Sequence, residues 1–239
     1  MTDANTPDAN TPDTGEPAMG SPLVPIKVEV VSDVMCPWCY IGKRRLEKAM
    51  ADVPELTFDV TWKPFQLDPT LPADGKDRQQ YLTEKFGGPE RVAEIYGRIG
   101  AAGTEEDIPF AFDKIKKSPN TLNAHRVVRW AGIEGLQNEV VNALFEAFFI
   151  DGADLSEPET LASVAASAGM DGDMVARLLA SDADLAETEA DVVHAQAIGV
   201  TGVPTFIVAG KYAISGAQPA DILSGAFRQI AAEASAPKT

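Results

Sequence analysis

The stretch Ile26-Lys27-Val28-Glu29-Val30-Val31 alternates apolar and polar residues, is rich in β-branched side chains, and predicts a strand. After four intervening residues comes Cys36-Pro37-Trp38-Cys39, which holds the only two cysteines of the 239 residues. The apolar residues at 41–50 then predict a helix, with Pro37 at or near its first turn, where the missing N–H costs nothing. The two thiols therefore lie where a strand passes into a helix N-terminus.

A disulfide between Cys36 and Cys39 would contribute little stability, because the gain from a disulfide grows with the length of the closed loop. A chemical role is favoured instead. Unpaired amides and the helix dipole at a helix N-terminus favour a thiolate, and cysteines so placed can have pKa values of about 3.5–7.5. We predict Cys36 as the nucleophile and Cys39, one turn further in and more buried, as the resolving thiol.

Two other uses of the cysteine pair are open. The two residues could be buried structural cysteines, or they could form half of a zinc site. The zinc interpretation lacks ligands, because the chain has no second C-x-x-C and because its two histidines, His125 and His194, do not have the spacing of a zinc finger. We therefore expect no metal.

Composition and charge argue against several classes of function. The formal net charge of −16 argues against binding of nucleic acid or of anionic membranes, and no apolar run approaches the roughly 20 residues of a membrane span. Residues 1–24 repeat Asp-Ala-Asn-Thr-Pro without a large apolar cluster, which predicts a disordered acidic tail rich in proline and threonine. This segment also lacks the basic start and apolar core of a secretory signal, so we expect a cytoplasmic protein.

Beyond the motif, strand patterns flank a long helical region. A second strand is predicted at 56–62, and two more at 204–208 and 211–215, which Ala209-Gly210 joins into a hairpin. Two strands alone do not make a stable sheet, so the first pair is expected to join the hairpin. The predicted helices are 78–86, 90–99 with an end at Gly100 and Gly103, 121–131, the apolar stripe at 141–149, 156–167 behind a Ser156-Glu157-Pro158-Glu159 capping box, 174–179, 184–198 and 219–232.

The motif and the hairpin together resemble a known family. Cys36-Pro37-Trp38-Cys39 after a strand, with Gly199-Val200-Thr201-Gly202-Val203-Pro204-Thr205-Phe206 before the hairpin, is similar to the DsbA-like branch of the thioredoxin superfamily, and to its cytoplasmic FrnE-like group. The resemblance covers about residues 25–232. It implies an α/β, thioredoxin-like fold whose β-α-β and β-β-α halves are separated by a large all-helical insertion. The thioredoxin-like domain would comprise 25–68 and 199–239, and the insertion 69–198.

The resemblance also implies an activity. Members of the family are thiol–disulfide oxidoreductases or isomerases, which act on disulfide-containing proteins or low-molecular-weight thiols and are reset by an external reductant. No metal or organic cofactor is implied, although glutathione could serve as a co-substrate. Val203-Pro204 is implied to be a cis peptide that faces the two sulfurs, with Val203 backbone groups pairing with an extended substrate. Oxidising periplasmic relatives carry histidine where this chain has Trp38, so we expect a less oxidising couple.

Some assignments remain open. Asn123 and His125 match a family motif, and they could lie near the active-site cleft or have a capping or core role, of which we favour the second. A glutathione-dependent isomerase or transferase of the 2-hydroxychromene-2-carboxylate isomerase type is an alternative function, although such relatives usually carry serine where this chain has Cys36. A redox-inert, chaperone-like binding module is a third alternative.

Overall fold

The computed structural model describes residues 24–235, so the predicted tail at 1–24 lies outside the described residues except for its last position. The first elements are β1 (Ile26–Ser32), α1 (Pro37–Ala51) and β2 (Phe58–Pro64). The remaining elements are β3 (Lys76–Asp77), α2 (Arg78–Phe86), α3 (Pro89–Glu105), β4 (Lys117–Ser118), α4 (Leu122–Glu134), α5 (Gln137–Glu146), a π-helical turn (Ala147–Asp151), α6 (Pro158–Ser167), α7 (Gly172–Leu179), α8 (Leu185–Ala197), β5 (Thr205–Val208), β6 (Tyr212–Ser215) and α9 (Ala220–Ser235).

The main sheet has the strand order β2-β1-β5-β6, so β1 occupies an interior position. β1 runs parallel to β2 and antiparallel to β5, with Val28 opposite Val60 on one side and Val208 on the other. Ala209 and Gly210 both have positive φ, and this allows the tight turn that connects β5 to β6. The predicted α/β class, with helices inserted between a β-α-β and a β-β-α half, is confirmed.

Helix α3 is longer than predicted. The expected end at Gly100 and Gly103 is wrong, because the helix continues to Glu105. Gly103 is buried, and a Cβ atom placed on it would lie 2.4 Å from the ring of Phe110. The glycine therefore lets an aromatic ring pack directly on the helix backbone, which outweighs its low helix propensity of about 1 kcal/mol.

The insertion differs from the prediction in two further details. The capping box is wrong, because Glu157 is the N-cap of α6 and its side chain caps nothing, while the Ser156 hydroxyl donates to Asp154. A two-residue antiparallel pair also joins β3 to β4, with Lys76 opposite Ser118. Pairs this short carry too little alternation to be visible in a sequence.

An aromatic cluster holds the insertion against the motif helix. Tyr40, on α1, stacks on Phe145 at 5.0 Å between ring centroids and meets Phe110 edge-on at 6.0 Å. Phe149 packs against Phe110 at 5.4 Å and is fully buried. These rings belong to the larger of two buried apolar clusters in the described chain, which also includes Val28 of the central strand. Sheet, motif helix and insertion therefore share one core.

An ion cluster reinforces the same junction. Arg45 and Lys48 of α1 contact the Glu106 carboxylate at 2.7 and 2.6 Å, and Arg45 also donates to the Ala217 carbonyl at 2.6 Å. Partial burial opposes the charge of Glu106, but hydrogen bonds from Lys48 and Arg45 outweigh it and hold the carboxyl pKa below its ordinary value. Helix α1 is thus fixed to the residues that follow α3 and to those that follow β6.

Because Phe149 is fully buried in this shared core, we expect Phe149→Ala to lower the free energy of unfolding by about 3–5 kcal/mol. Ile133→Ala is the matched control, since 81% of Ile133 is exposed and its truncation is expected to stay within about 0.5 kcal/mol of the parent. Urea denaturation followed by circular dichroism measures both. Equal effects of the two substitutions would contradict the assignment of Phe149 to the core.

Candidate active site

Cys36 is the N-cap residue of α1. Its backbone is extended, with φ −91° and ψ 111°, and its N–H donates to the Asp33 carbonyl at 3.0 Å, which forms the turn between β1 and the helix. Pro37 is in the first helical turn, as predicted, and no acidic residue lies in that turn. The positive end of the helix dipole therefore faces the Cys36 side chain without a competing carboxylate from the helix itself.

The cysteines are unpaired and buried, with 4% of Cys36 and 1% of Cys39 exposed. Burial is the largest cause of a pKa of the Cys39 thiol well above its ordinary value, and the Cys36 sulfur raises it further. Ser32 and the Asp33 backbone lower it by smaller amounts. Cys39 therefore keeps its proton far more strongly than a solvent-exposed thiol, and its use as a nucleophile requires that this proton be removed.

The Val203–Pro204 peptide is cis, as the family resemblance implies, and it lies opposite the motif. The Cys36 thiol donates to the Val203 carbonyl at 3.7 Å, so the segment that precedes β5 is in direct contact with the first sulfur. Pro204 is buried, and its own carbonyl accepts a bond from the Gly216 N–H at 2.7 Å. The hairpin thereby holds the peptide in place beside the dithiol.

Helix α1 approaches Pro204 more closely than a side chain would allow. A Cβ atom on Gly42 would lie 2.7 Å from Pro204 Cγ and 3.4 Å from the Phe206 ring. Because real Cβ atoms do not approach other carbons to 2.7 Å, any residue other than glycine at position 42 must displace either the helix or Pro204. Gly42 therefore sets the distance between the dithiol and the segment that faces it.

Trp38 is the exposed member of the motif, with 37% of its surface accessible, while Pro37 is buried. Its indole thus lies at the surface next to the N-terminus of α1, where it can contact a bound molecule. An indole carries no charge, so Trp38 gives no cationic partner to a thiolate at Cys36.

His125 is brought close to the motif from the insertion. Its Nε2 atom lies 2.9 Å from the Phe65 carbonyl and 3.6 Å from Asp33 Oδ1, and both His125 and Asp33 are buried. Asp33 Oδ2 in turn accepts from the Leu67 N–H at 2.7 Å. Asn123 instead accepts a bond from Arg126, one helical turn away.

Three residues of this region were not predicted from the sequence. Asp33 and Ser32 lie at the end of β1, and a polar pair there is also what an ordinary turn requires. Gly42 lies inside a helix, where an isolated glycine signals only a loss of helix propensity. Their burial and their contacts depend on residues far away in the sequence, so no local pattern identifies them.

Other kinds of site find no support in the described part of the chain. No group of three or more histidine, cysteine or acidic residues is placed to hold a metal ion among residues 24–235. None of the helices that the structure describes has the length and apolar character needed to cross a bilayer.

Comparison with known proteins identifies the family of the chain. Residues 27–228 match the model of the DSBA-like thioredoxin domain, and the chain therefore belongs to that family. A probable DsbA oxidoreductase from Streptomyces coelicolor is similar in structure, with 32% identity and a TM-score of 0.80 over 90% of this chain and 93% of that one.

Two more distant structures share the fold. A cytosolic disulfide reductase, DsbM, from Pseudomonas aeruginosa, solved with GSH, has 19% identity and a TM-score of 0.60 over 85% of this chain and 98% of that one. A 2-hydroxychromene-2-carboxylate isomerase has 19% identity and a TM-score of 0.62 over 88% of this chain and the whole of the other. The fold accordingly serves both a disulfide reductase and an isomerase.

Replacement of a helical glycine by alanine ordinarily stabilises a protein, but the Gly42–Pro204 contact predicts a loss of stability. We expect Gly42→Ala to destabilise the protein by about 1–3 kcal/mol, because the new methyl group overpacks against Pro204. Gly225→Ala is the control, since Gly225 lies in α9 with open space around it and should gain about 1 kcal/mol in helix propensity. Urea denaturation tests both; a gain for Gly42→Ala would show that the contact is not tight.

The neutral indole of Trp38 predicts the direction in which the redox potential can be moved. We expect Trp38→His to make the couple more oxidising, because a protonated imidazole stabilises the thiolate form. A stabilisation of about 1.4 kcal/mol corresponds to about 30 mV for two electrons. The measurement is equilibration with glutathione redox buffers. Trp38→Gln, which adds a polar group without a charge, is the control, and an equal shift in both variants would contradict the electrostatic explanation.

Proposed function

We propose that this chain is a thiol–disulfide oxidoreductase that reduces or exchanges disulfides through Cys36 and Cys39. The observation that carries the proposal is the position of the Cys36 sulfur, at the N-terminus of α1 and 3.7 Å from the carbonyl of the cis Val203–Pro204 segment. Membership of the DSBA-like thioredoxin domain family supports the same chemistry.

In the first step the Cys36 thiolate attacks one sulfur of a substrate disulfide, R–S–S–R′. A bond forms between Cys36 and the RS sulfur, the substrate S–S bond breaks, and R′–S⁻ leaves and takes up a proton. In the second step the Cys39 thiolate attacks Cys36, the mixed disulfide breaks, and R–S⁻ leaves. The substrate gains two electrons and two protons, and the enzyme becomes the Cys36–Cys39 disulfide, which an external dithiol or glutathione must reduce.

The residues around the dithiol support this sequence of steps. Within the described chain the Val203 N–H donates to no other residue, which leaves it free to pair with an extended substrate. Pro204 has no N–H, so it offers no second donor to the sulfurs. Trp38 provides an exposed apolar surface on which a substrate side chain can pack.

We infer a cytoplasmic, reducing or isomerising role with protein disulfides or low-molecular-weight thiols as substrates. A cytosolic disulfide reductase of the same fold, solved with GSH, supports a cytoplasmic role, and it supports glutathione as a co-substrate. The neutral Trp38 supports it as well, because a strong oxidant depends on extra stabilisation of its reduced form. The reaction as written needs no metal or organic cofactor.

The isomerase of the same fold makes a glutathione-dependent isomerase or transferase the second candidate. Two intact thiols in contact with each other count against it, because that chemistry needs the sulfur of glutathione and not a second protein sulfur. A redox-inert chaperone-like module is disfavoured on the same ground, since it would need neither thiol. Holdase activity that survives replacement of both cysteines would support that third function.

The two cysteines form a matched pair of substitutions. We expect Cys36→Ser to abolish the acceleration that the protein gives to insulin reduction by dithiothreitol, because no nucleophile remains at the helix N-terminus. Cys39→Ser should instead accumulate mixed disulfides at Cys36, visible by mass spectrometry and by non-reducing electrophoresis. Full insulin reductase activity in Cys36→Ser would refute the assignment, whereas glutathione-dependent turnover of a chromene substrate that persists in Cys39→Ser would favour the isomerase.

A further inference from the structure

Resolution of the mixed disulfide poses a physical problem in this site. Cys39 is almost completely buried, yet it must become a thiolate before it can attack Cys36. At that stage a substrate occupies the Val203–Pro204 side of the dithiol, so water has little access from that side. The proton of Cys39 must therefore leave in another direction.

We propose, on the basis of the proposed function, that Ser32, Asp33 and His125 form a proton exit for Cys39 that opens to solvent away from the substrate-binding side. The Ser32 hydroxyl lies beside the Cys39 thiol, close enough to lower its pKa, but it makes no well-formed hydrogen bond to any residue between 24 and 235. A buried hydroxyl without a fixed partner is free to rotate, and it can accept one proton while it donates another.

Two cavities border His125, and the smaller one also borders Ser32. A cavity of about 10 Å³, close to the smallest that holds one water molecule, is lined by Ser32 and His125. His125 also lines a second pocket of about 100 Å³, whose rim includes Lys63, Arg129 and Asp191, all partly exposed. Neither lining contains a residue of Cys36-Pro37-Trp38-Cys39 or of Val203–Pro204. The imidazole thus lines both the small cavity that borders Ser32 and the larger pocket with the partly exposed rim.

The contacts of His125 suit it to accept a proton. Its Nε2 faces the Phe65 carbonyl, an acceptor, so Nε2 carries the hydrogen and Nδ1 is the only acceptor of the neutral ring. When Nδ1 takes up a proton, the ring becomes a cation whose Nε2 lies 3.6 Å from the Asp33 carboxylate. The buried carboxylate therefore stabilises the transient charge.

The other charged groups around His125 lie at the mouth of the larger pocket. Lys63 comes from β2 and pairs with Glu29 at 3.5 Å, and Arg129 of α4 pairs with Asp191 of α8 at 2.6 Å. Each mouth group thus has an oppositely charged partner of its own, whereas among the described residues His125 is the only basic side chain that pairs with Asp33. His125 touches neither substrate nor sulfur, so it is a positioning residue that acts through Ser32 and Asp33.

The proposed step balances. The Cys39 S–H bond breaks and the proton passes through Ser32 and water in the small cavity to Nδ1 of His125, and from there to water in the larger pocket. The sulfur electron pair forms the bond to Cys36, and the departing R–S⁻ receives its proton from solvent. No oxidant or reductant beyond the substrate disulfide and the enzyme dithiol takes part.

A disulfide that releases two chromophores separates the two chemical steps. Reduced enzyme is mixed with dithiobis-nitrobenzoate in a stopped-flow instrument, so that attack by Cys36 releases the first nitrothiobenzoate and attack by Cys39 the second. We expect His125→Gln, which can still donate to Phe65, to leave the first phase unchanged and to slow the second at least about tenfold. Asp33→Asn, which keeps the shape of the carboxylate, should slow the second phase as well.

The controls use the chain's own residues. His194→Gln removes the other histidine, which is exposed on α8, and should leave both phases unchanged. In the unchanged protein the rate of the second phase should show a solvent deuterium effect, because a proton moves in that step. His125→Gln should alter that deuterium effect, because the proton no longer passes to an imidazole, whereas a variant with a merely loosened structure would slow and keep it.

The outcomes are distinguishable from those of the proposed function. The proton exit is overturned if the second phase is unchanged in His125→Gln, if it slows but keeps the same deuterium effect, or if the unchanged protein shows no deuterium effect in that phase. If the unchanged protein shows no first phase at all, the oxidoreductase assignment fails, and the proton exit fails with it.

Discussion

Helix α1 reaches the Val203–Pro204 segment only because Gly42 has no side chain. That approach places the N-terminal end of the helix, and the Cys36 sulfur with it, against the Val203 carbonyl. The N-terminus of α1, the cis peptide and the Cys36 thiol therefore lie within a few ångströms of one another. A displacement of α1 by the width of one methyl group would separate them, so the proposed chemistry depends on a contact that involves no polar atom.

The insertion makes direct contacts with the motif helix and with the residues beside it. Its aromatic rings fix α1 through Tyr40, and Glu106 binds two basic side chains of the same helix. It also delivers His125 to Asp33, at the end of β1. The motif helix is therefore held from two sides, by the sheet through Pro204 and by the insertion through these contacts. Rigidity at the dithiol is a property of both parts together.

The sequence alone predicts those features that depend on residues close together in the chain. Strand, motif and helix follow one another at 26–50, and the hairpin at 204–215 carries its own turn, so the halves of the fold could be predicted. The end of α3 could not, because Gly103 makes room for Phe110, which follows the helix. The Ser156 cap failed because the helix begins one residue later, with Glu157 as its N-cap, and the Ser156 hydroxyl donates to Asp154. Asp33 and His125 meet across much of the chain, and no spacing rule connects them.

The arrangement separates two demands on the dithiol that oppose each other. A group that stabilises the Cys36 thiolate stabilises the reduced protein and weakens it as a reductant, whereas removal of the Cys39 proton makes it react faster. A single cationic imidazole beside both sulfurs would speed the removal of the Cys39 proton, but it would also stabilise the Cys36 thiolate and weaken the protein as a reductant. In the proposed proton exit, the position beside Cys36 holds the neutral Trp38, while His125 acts on Cys39 only through Ser32. A reducing potential and rapid resolution can therefore be set by different residues.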